Sequence, residues 1–213
     1  MPVPSPTRAE RIADGAVHVL GVVFAAAAIA WLLGRASGQA GWGLWTALAI
    51  YSAALLAMLS ASGAYNILFG KTARPLLRRL DHAAIYVKIA GTFTPLAVIL
   101  GTAFGYAVLG LVWALAITGA ATKLLAARGR MPTGVWPYLA LGWLGLALFV
   151  PLAGLLPGGS LQLIALGGLL YSAGVVFYRW EALRFATAIW HSFVLVASGC
   201  FFAGISGAIA AVP

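Results

Sequence analysis

Seven apolar runs punctuate the chain, at 16–33, 42–65, 81–100, 105–122, 135–150, 161–178 and 186–212, with short polar connections between them. Each approaches the ~20 residues that cross ~30 Å of hydrocarbon at ~1.5 Å of helical rise per residue. Lipid offers an exposed backbone no hydrogen-bond partners, so such runs are expected to be helices. The fifth is the weakest: Pro151 and Pro157 end it, or it runs on through Leu156. Connections this short fit one compact bundle over residues 1–213 rather than several domains. The expected fold class is therefore all-α, a seven-transmembrane-helix bundle forming a single integral membrane domain.

Composition excludes the soluble alternatives. The chain has 213 residues, 63% hydrophobic and 8% charged, where a soluble domain carries about 45–50% apolar and about 25% charged residues. A soluble enzyme, a disordered protein and a nucleic-acid-binding domain are all excluded on that ground, despite a formal net charge of +9 and a pI near 10.3. The basic residues instead report orientation. Arg8 and Arg11, then Lys71, Arg74, Arg78 and Arg79, then Lys123, Arg128 and Arg130, then Arg179 and Arg184 all fall on one side. Only Arg35 falls on the other, and Lys88 lies within a span. The positive-inside rule places the N-terminus in the cytoplasm and the C-terminus outside, in a multi-pass arrangement. A cleaved signal peptide, with Arg8 and Arg11 as its basic region and 36–38 as its cleavage site, is the rival reading of the first run. The lone Cys200 forms no intrachain disulfide. Gly199, Ala203 and Gly207, small residues at spacings of four, are expected to let helices pack closely.

The rare polar groups collect at one depth. Glu10, Asp14 and His18 open the first span, Ser62 and Asn66 close the second, Asp81 and His82 open the third, and Glu181, Thr187 and His191 open the seventh. All four acids and all three histidines thus fall in or near one leaflet. Asp14 with His18, Ser62 with Asn66, and Thr187 with His191 are each i,i+4 pairs on one helix face. Ionisable groups inside a membrane cost ~2.5–3.5 kcal/mol each on insertion scales and usually mark a cavity, ion path or site. These residues are expected to line one pocket in the cytoplasmic leaflet; the plainer reading is hydrogen bonding that glues the bundle.

On these residues the chain resembles the hemolysin III proteins of bacteria, relatives of the progestin and adipoQ receptors. The opening stretch 9–21 (AERIADGAVHVLG), the block 76–95 (LLRRLDHAAIYVKIAGTFTP), and the segments 167–178 (GGLLYSAGVVFY) and 189–196 (IWHSFVLV) carry the likeness over nearly the whole chain. The resemblance implies a seven-helix, N-inside architecture. It also implies a zinc ion held near the cytoplasmic side by three histidines, one from S-x-x-x-H and two from H-x-x-x-H, with an aspartate orienting a zinc-bound water. Relatives in the wider superfamily hydrolyse lipid amides.

The chain departs from that pattern at its centre. Ser62-x-x-x-Asn66 stands for S-x-x-x-H, and Thr187-x-x-x-His191 for H-x-x-x-H. Asp81, the catalytic candidate in the place of the aspartate that orients the water, and His191, as metal ligand, remain. An amide and a hydroxyl are poor zinc ligands, so the implied zinc site is expected to be weakened or absent. His82 points about 100° away from Asp81 on a helix, whereas His18 with Asp14 is able to approach from the first span. Lys88 is a second departure: it lies two turns beyond Asp81, and either snorkels to water or pairs with Asp81 in place of the missing metal charge. The expected pocket is thus Asp14, His18, Ser62, Asn66, Lys88 and Thr187 around Asp81 and His191. Three functions follow from the resemblance. One is a role in membrane or lipid homeostasis or ion passage, with cytolysis suggested by the family name. The second is a metal-dependent, ceramidase-like lipid hydrolase with a rearranged site. The third is a lipid-sensing receptor. The expected partners are membrane lipids, with a lipid ligand held in the bundle, and no nucleic acid.

Overall fold

A computed structural model describes residues 6–38, 40–68, 72–127, 130–132, 134–180 and 182–209. Lys71, Arg128 and Glu181, and positions 210–212 of the expected seventh span, lie outside them. The described residues form eight α-helices and no strand: α1 (Arg8–Ser37), α2 (Trp42–Ile67), α3 (Arg74–Leu100), α4 (Ala103–Leu124), α5 (Trp136–Trp143), α6 (Leu146–Ala153), α7 (Gly158–Arg179) and α8 (Ala186–Ile209). Seven segments among them are long and apolar enough to cross a membrane, with α5 and α6 together, Trp136–Ala153, making the fifth.

That fifth span is broken, and Pro151 lies within α6 instead of ending it. The break falls at Leu144 and Gly145, where the N–H groups of Gly145, Ala147 and Leu148 each bond three residues back, to Gly142, Leu144 and Gly145. These tighter turns replace the i→i−4 ladder. Proline brings no N–H of its own to that ladder, which weakens the short α6 further.

The helices close a ring in chain order. Each span packs on the next, with α5 and α6 together as one span, and α1 returns to lie between α2 and α8. α3 is the most enclosed span, touching α2, α4, α5, α6 and α8. The outer surface is apolar, with Phe24 65% and Val150 79% exposed, as a lipid-facing surface requires. Of the expected small-residue stripe, only Gly207 lies at a close approach, with Gly204 beside it; both rest on Ser160 of α7. Gly199 faces open space and Ala203 is exposed, because the α7 contact runs along a neighbouring face of α8.

A hydrogen bond links the start of α1 to the start of α8. Thr7 caps α1 in a capping box with Glu10. The other oxygen of that carboxylate, Oε1, accepts the N–H of Phe185 at 2.9 Å, just before α8 begins. Phe185 holds a left-handed backbone (φ 61°), a conformation costly for a residue with a bulky side chain. Glu10 thus ties the starts of two helices that are 175 residues apart.

Candidate functional site

With α1 against α8, one turn beyond the Glu10–Phe185 tie, Asp14 faces His191. Asp14 Oδ1 and His191 Nδ1 are 2.6 Å apart. One turn further along α1, His18 Nε2 lies 3.6 Å from Asp14 Oδ2, and the two imidazole rings sit 4.3 Å apart. Asp14, His18 and His191 therefore offer three ligand atoms, all within 4.8 Å of one another. Asp14 and His18 are buried, and the His191 side chain is 12% exposed. His18 packs over Gly63 of α2, and its Nε2 is buried with no hydrogen-bond partner among the described residues.

Two imidazoles and one carboxylate form a donor set that zinc accepts. The unpartnered His18 nitrogen is the kind of buried group that a cation satisfies. The residues present therefore fit a divalent ion, but not through the expected ligand pattern. Asn66 directs its amide NH2 to the carbonyl of Ser62 on its own helix at 2.9 Å. Thr187 lies on the cavity wall one turn before His191. Alongside His191, α1 brings one carboxylate, Asp14, and one imidazole, His18.

This cluster borders a cavity of about 1620 Å³ that opens between the helices. Asp14, Ser62, Asn66, Asp81, Thr187 and His191 all line it. His18 does not: it stands behind His191, on a separate void of about 20 Å³ shared with Ser62. Asp81 is buried on the same cavity wall as Ser62, within electrostatic reach of Asp14, His18 and His191. His82 shares the cavity wall but not the cluster: its carbonyl accepts the Tyr138 hydroxyl from α5 at 3.3 Å. Beyond the polar end the cavity is apolar, with Phe93, Leu96, Leu148 and Ile164 on its walls.

Lys88 neither reaches water nor pairs with Asp81. It is 4% exposed, and its ammonium donates to the hydroxyl of Tyr171 on α7 at 2.6 Å. Tyr171 Oη lies 2.6 Å from Ser198 Oγ on α8. The ammonium also stands 4.3 Å from the Tyr171 ring centroid and 5.1 Å from that of Phe201. It forms no ion pair among the described residues. The Lys88 stem leaves α3 on the side facing α7 and α8, and a hydroxyl and two aromatic faces receive the charge there. Sequence reasoning passed over Tyr171 and Ser198; the available signal was a tyrosine in the middle of an otherwise apolar run.

Comparison with known proteins extends this picture to the whole chain. Residues 9–202 match the family model described as "Haemolysin-III related". The chain is 35% identical over 196 residues to the "Hemolysin-3 homolog" of Bacillus subtilis (strain 168), covering 91% of each chain. It is 34% identical over 194 residues to the "Hemolysin-3" of Bacillus cereus, covering 91% of this chain and 89% of that one.

Proposed function

The chain belongs to the haemolysin-III family, and on that footing we propose that it is an inner-membrane hydrolase that cleaves a lipid amide or ester within the bilayer. The observation that carries this reading is the convergence of Asp14, His18 and His191 at the polar end of a large, otherwise apolar cavity. Those three residues would hold a zinc-like divalent ion, which supplies Lewis acidity towards a carbonyl oxygen when bound. Three protein ligands with a position left for substrate is the pattern of a hydrolytic rather than a structural zinc site.

The chain's own residues supply the rest. The apolar walls at Phe93, Leu96, Leu148 and Ile164 take the acyl chain and keep water from the deep part of the cavity. Asp81 is the general base. Its carboxylate takes the proton of the attacking water and returns it to the leaving nitrogen or oxygen. Ser62 lines the same cavity wall beside that carboxylate. The basic ends of the helices face the cytoplasm under the positive-inside rule, so the head of the substrate enters from the cytoplasmic leaflet. Turnover of a membrane lipid is then the protein's part in lipid homeostasis.

The test is metal content followed by hydrolysis. Purified protein should hold close to one zinc per chain after dialysis and release fatty acid from N-acyl or O-acyl lipids. His191→Ala should lose both properties. A protein that holds zinc but cleaves no lipid amide or ester overturns the hydrolase reading.

A further inference from the structure

We propose that Lys88 anchors the head of a long-chain carboxylate, held inside the bundle with its tail along the apolar part of the cavity. An ammonium has three N–H donors, and only one is used among the described residues, on Tyr171. The group is 96% withdrawn from solvent, being 4% exposed, yet it stands on the cavity wall. No carboxylate pairs with it among the described residues. Buried charges in a membrane bundle are normally paired, and one without a counter-ion marks a functional site. Here the unpaired donors border a space of about 1620 Å³, well above the ~300–1,000 Å³ of ordinary ligand sites.

The surroundings select the ligand class. The rings of Tyr171 and Phe201 hold the ammonium in place through their faces. Ser198, through Tyr171, fixes the hydroxyl that positions it. Thr92 and Ser172 also line the cavity, but their hydroxyls donate to carbonyls of their own helices; the other walls on α3 and α7 include the apolar Ile89, Phe93 and Ile164. One compact negative charge on a long apolar tail matches such a site. A phosphodiester head carrying a second bulky polar group does not, because among the described residues the other basic side chains on the cavity wall, Arg11, Arg74, Arg78, Arg179 and Arg184, stand at or near the helix ends. Lys88 lies seven residues beyond Asp81, about 10 Å along the helix, so the anchor is separate from the Asp14, His18 and His191 cluster. It stands whether or not that cluster hydrolyses lipid. If it does, the anchored molecule is the fatty acid that hydrolysis releases.

The experiment uses full-length protein in nanodiscs, stripped of metal with EDTA so that the cluster plays no part. Binding of radiolabelled hexadecanoate is compared with hexadecanol, a neutral molecule of the same chain length. The unmodified protein should bind hexadecanoate at least about tenfold more tightly, as expected for a charge-assisted contact. Lys88→Met should erase that preference and Lys88→Arg should retain it. Equal binding of the two ligands by the unmodified protein overturns the proposal, and that comparison needs no variant to fold. A preference that survives in Lys88→Met overturns it as well. A purely structural Lys88 would lower thermal stability in Lys88→Met without changing the ratio of the two affinities.

Discussion

Asp14→Asn is the sharpest probe of the metal cluster, since it removes one charge and almost no volume. The carboxylate meets His191 Nδ1 at 2.6 Å and His18 Nε2 at 3.6 Å. Only the first distance is within hydrogen-bond range, so one strong contact is lost, not two. A hydrogen bond to a charged group contributes ~1.5–3 kcal/mol, a factor of about 10 to 150 in an equilibrium constant. In the metal-bound protein the loss is larger, because Asp14 is the sole anion among the three donors. Removing even an outer partner of a ligand costs about 10–100-fold in affinity, so losing the ligand itself should cost at least ~100-fold. Zinc affinity is read by competition with a chromophoric chelator in detergent, with thermal midpoints of the metal-free proteins as the folding control. Asn at 14 still offers an amide oxygen to His191, so the metal-free fold should survive. An Asp14→Asn protein with zinc affinity within about threefold of the unmodified one refutes the cluster as the metal site, because no ligand loss is that small.

Three further outcomes are expected. Asn66→His with Thr187→His should raise zinc affinity, and adding Lys88→Leu should leave it unchanged, because the Lys88 ammonium faces Tyr171; a large effect of Lys88→Leu in the same chelator titration would contradict that placement. Gly91→Ala should destabilise the bundle by ~1–3 kcal/mol through overpacking, because a Cβ there would lie 2.7 Å from that of Ala54 on α2; an unchanged thermal midpoint would show that α2 and α3 do not approach so closely. Single cysteines replacing Ser5 and Pro213, in a Cys200→Ser background, should be labelled from opposite faces of the membrane, Ser5 from the cytoplasm; labelling from the same face would overturn the orientation drawn from the basic residues.

The two halves of the metal cluster illustrate why sites in helical bundles divide between near and far sequence. Asp14 and His18 are one turn apart, and helical geometry alone puts them on one face. His191 is 177 residues from Asp14. The packing of α1 on α8 brings it close, alongside a tie at the helix starts, where Glu10 both completes the α1 capping box and accepts the Phe185 N–H. Asn66 and Thr187 line the same cavity as Asp14.

The sequence by itself determined the span count, the helical class and the gathering of acids and histidines at one end, because these follow from run length, backbone hydrogen bonding in lipid and helical period. It also determined which residues share a face within a helix. Tertiary structure alone decided which faces meet. Placing α1 between α2 and α8 joined Asp14 and His18 to His191, and left His18 behind the cavity wall rather than on it. The direction of Lys88 was decided in the same way: its spacing from Asp81 fixed depth and face on α3, while the aromatic faces and hydroxyl on α7 and α8 fixed where the charge goes. The break at 144–145 escaped the sequence because turns that bond three residues back keep a run apolar and nearly helical, and hydropathy does not register hydrogen-bond pattern. Spacing along a chain sets angles within an element. Distances between elements depend on packing that no local pattern encodes.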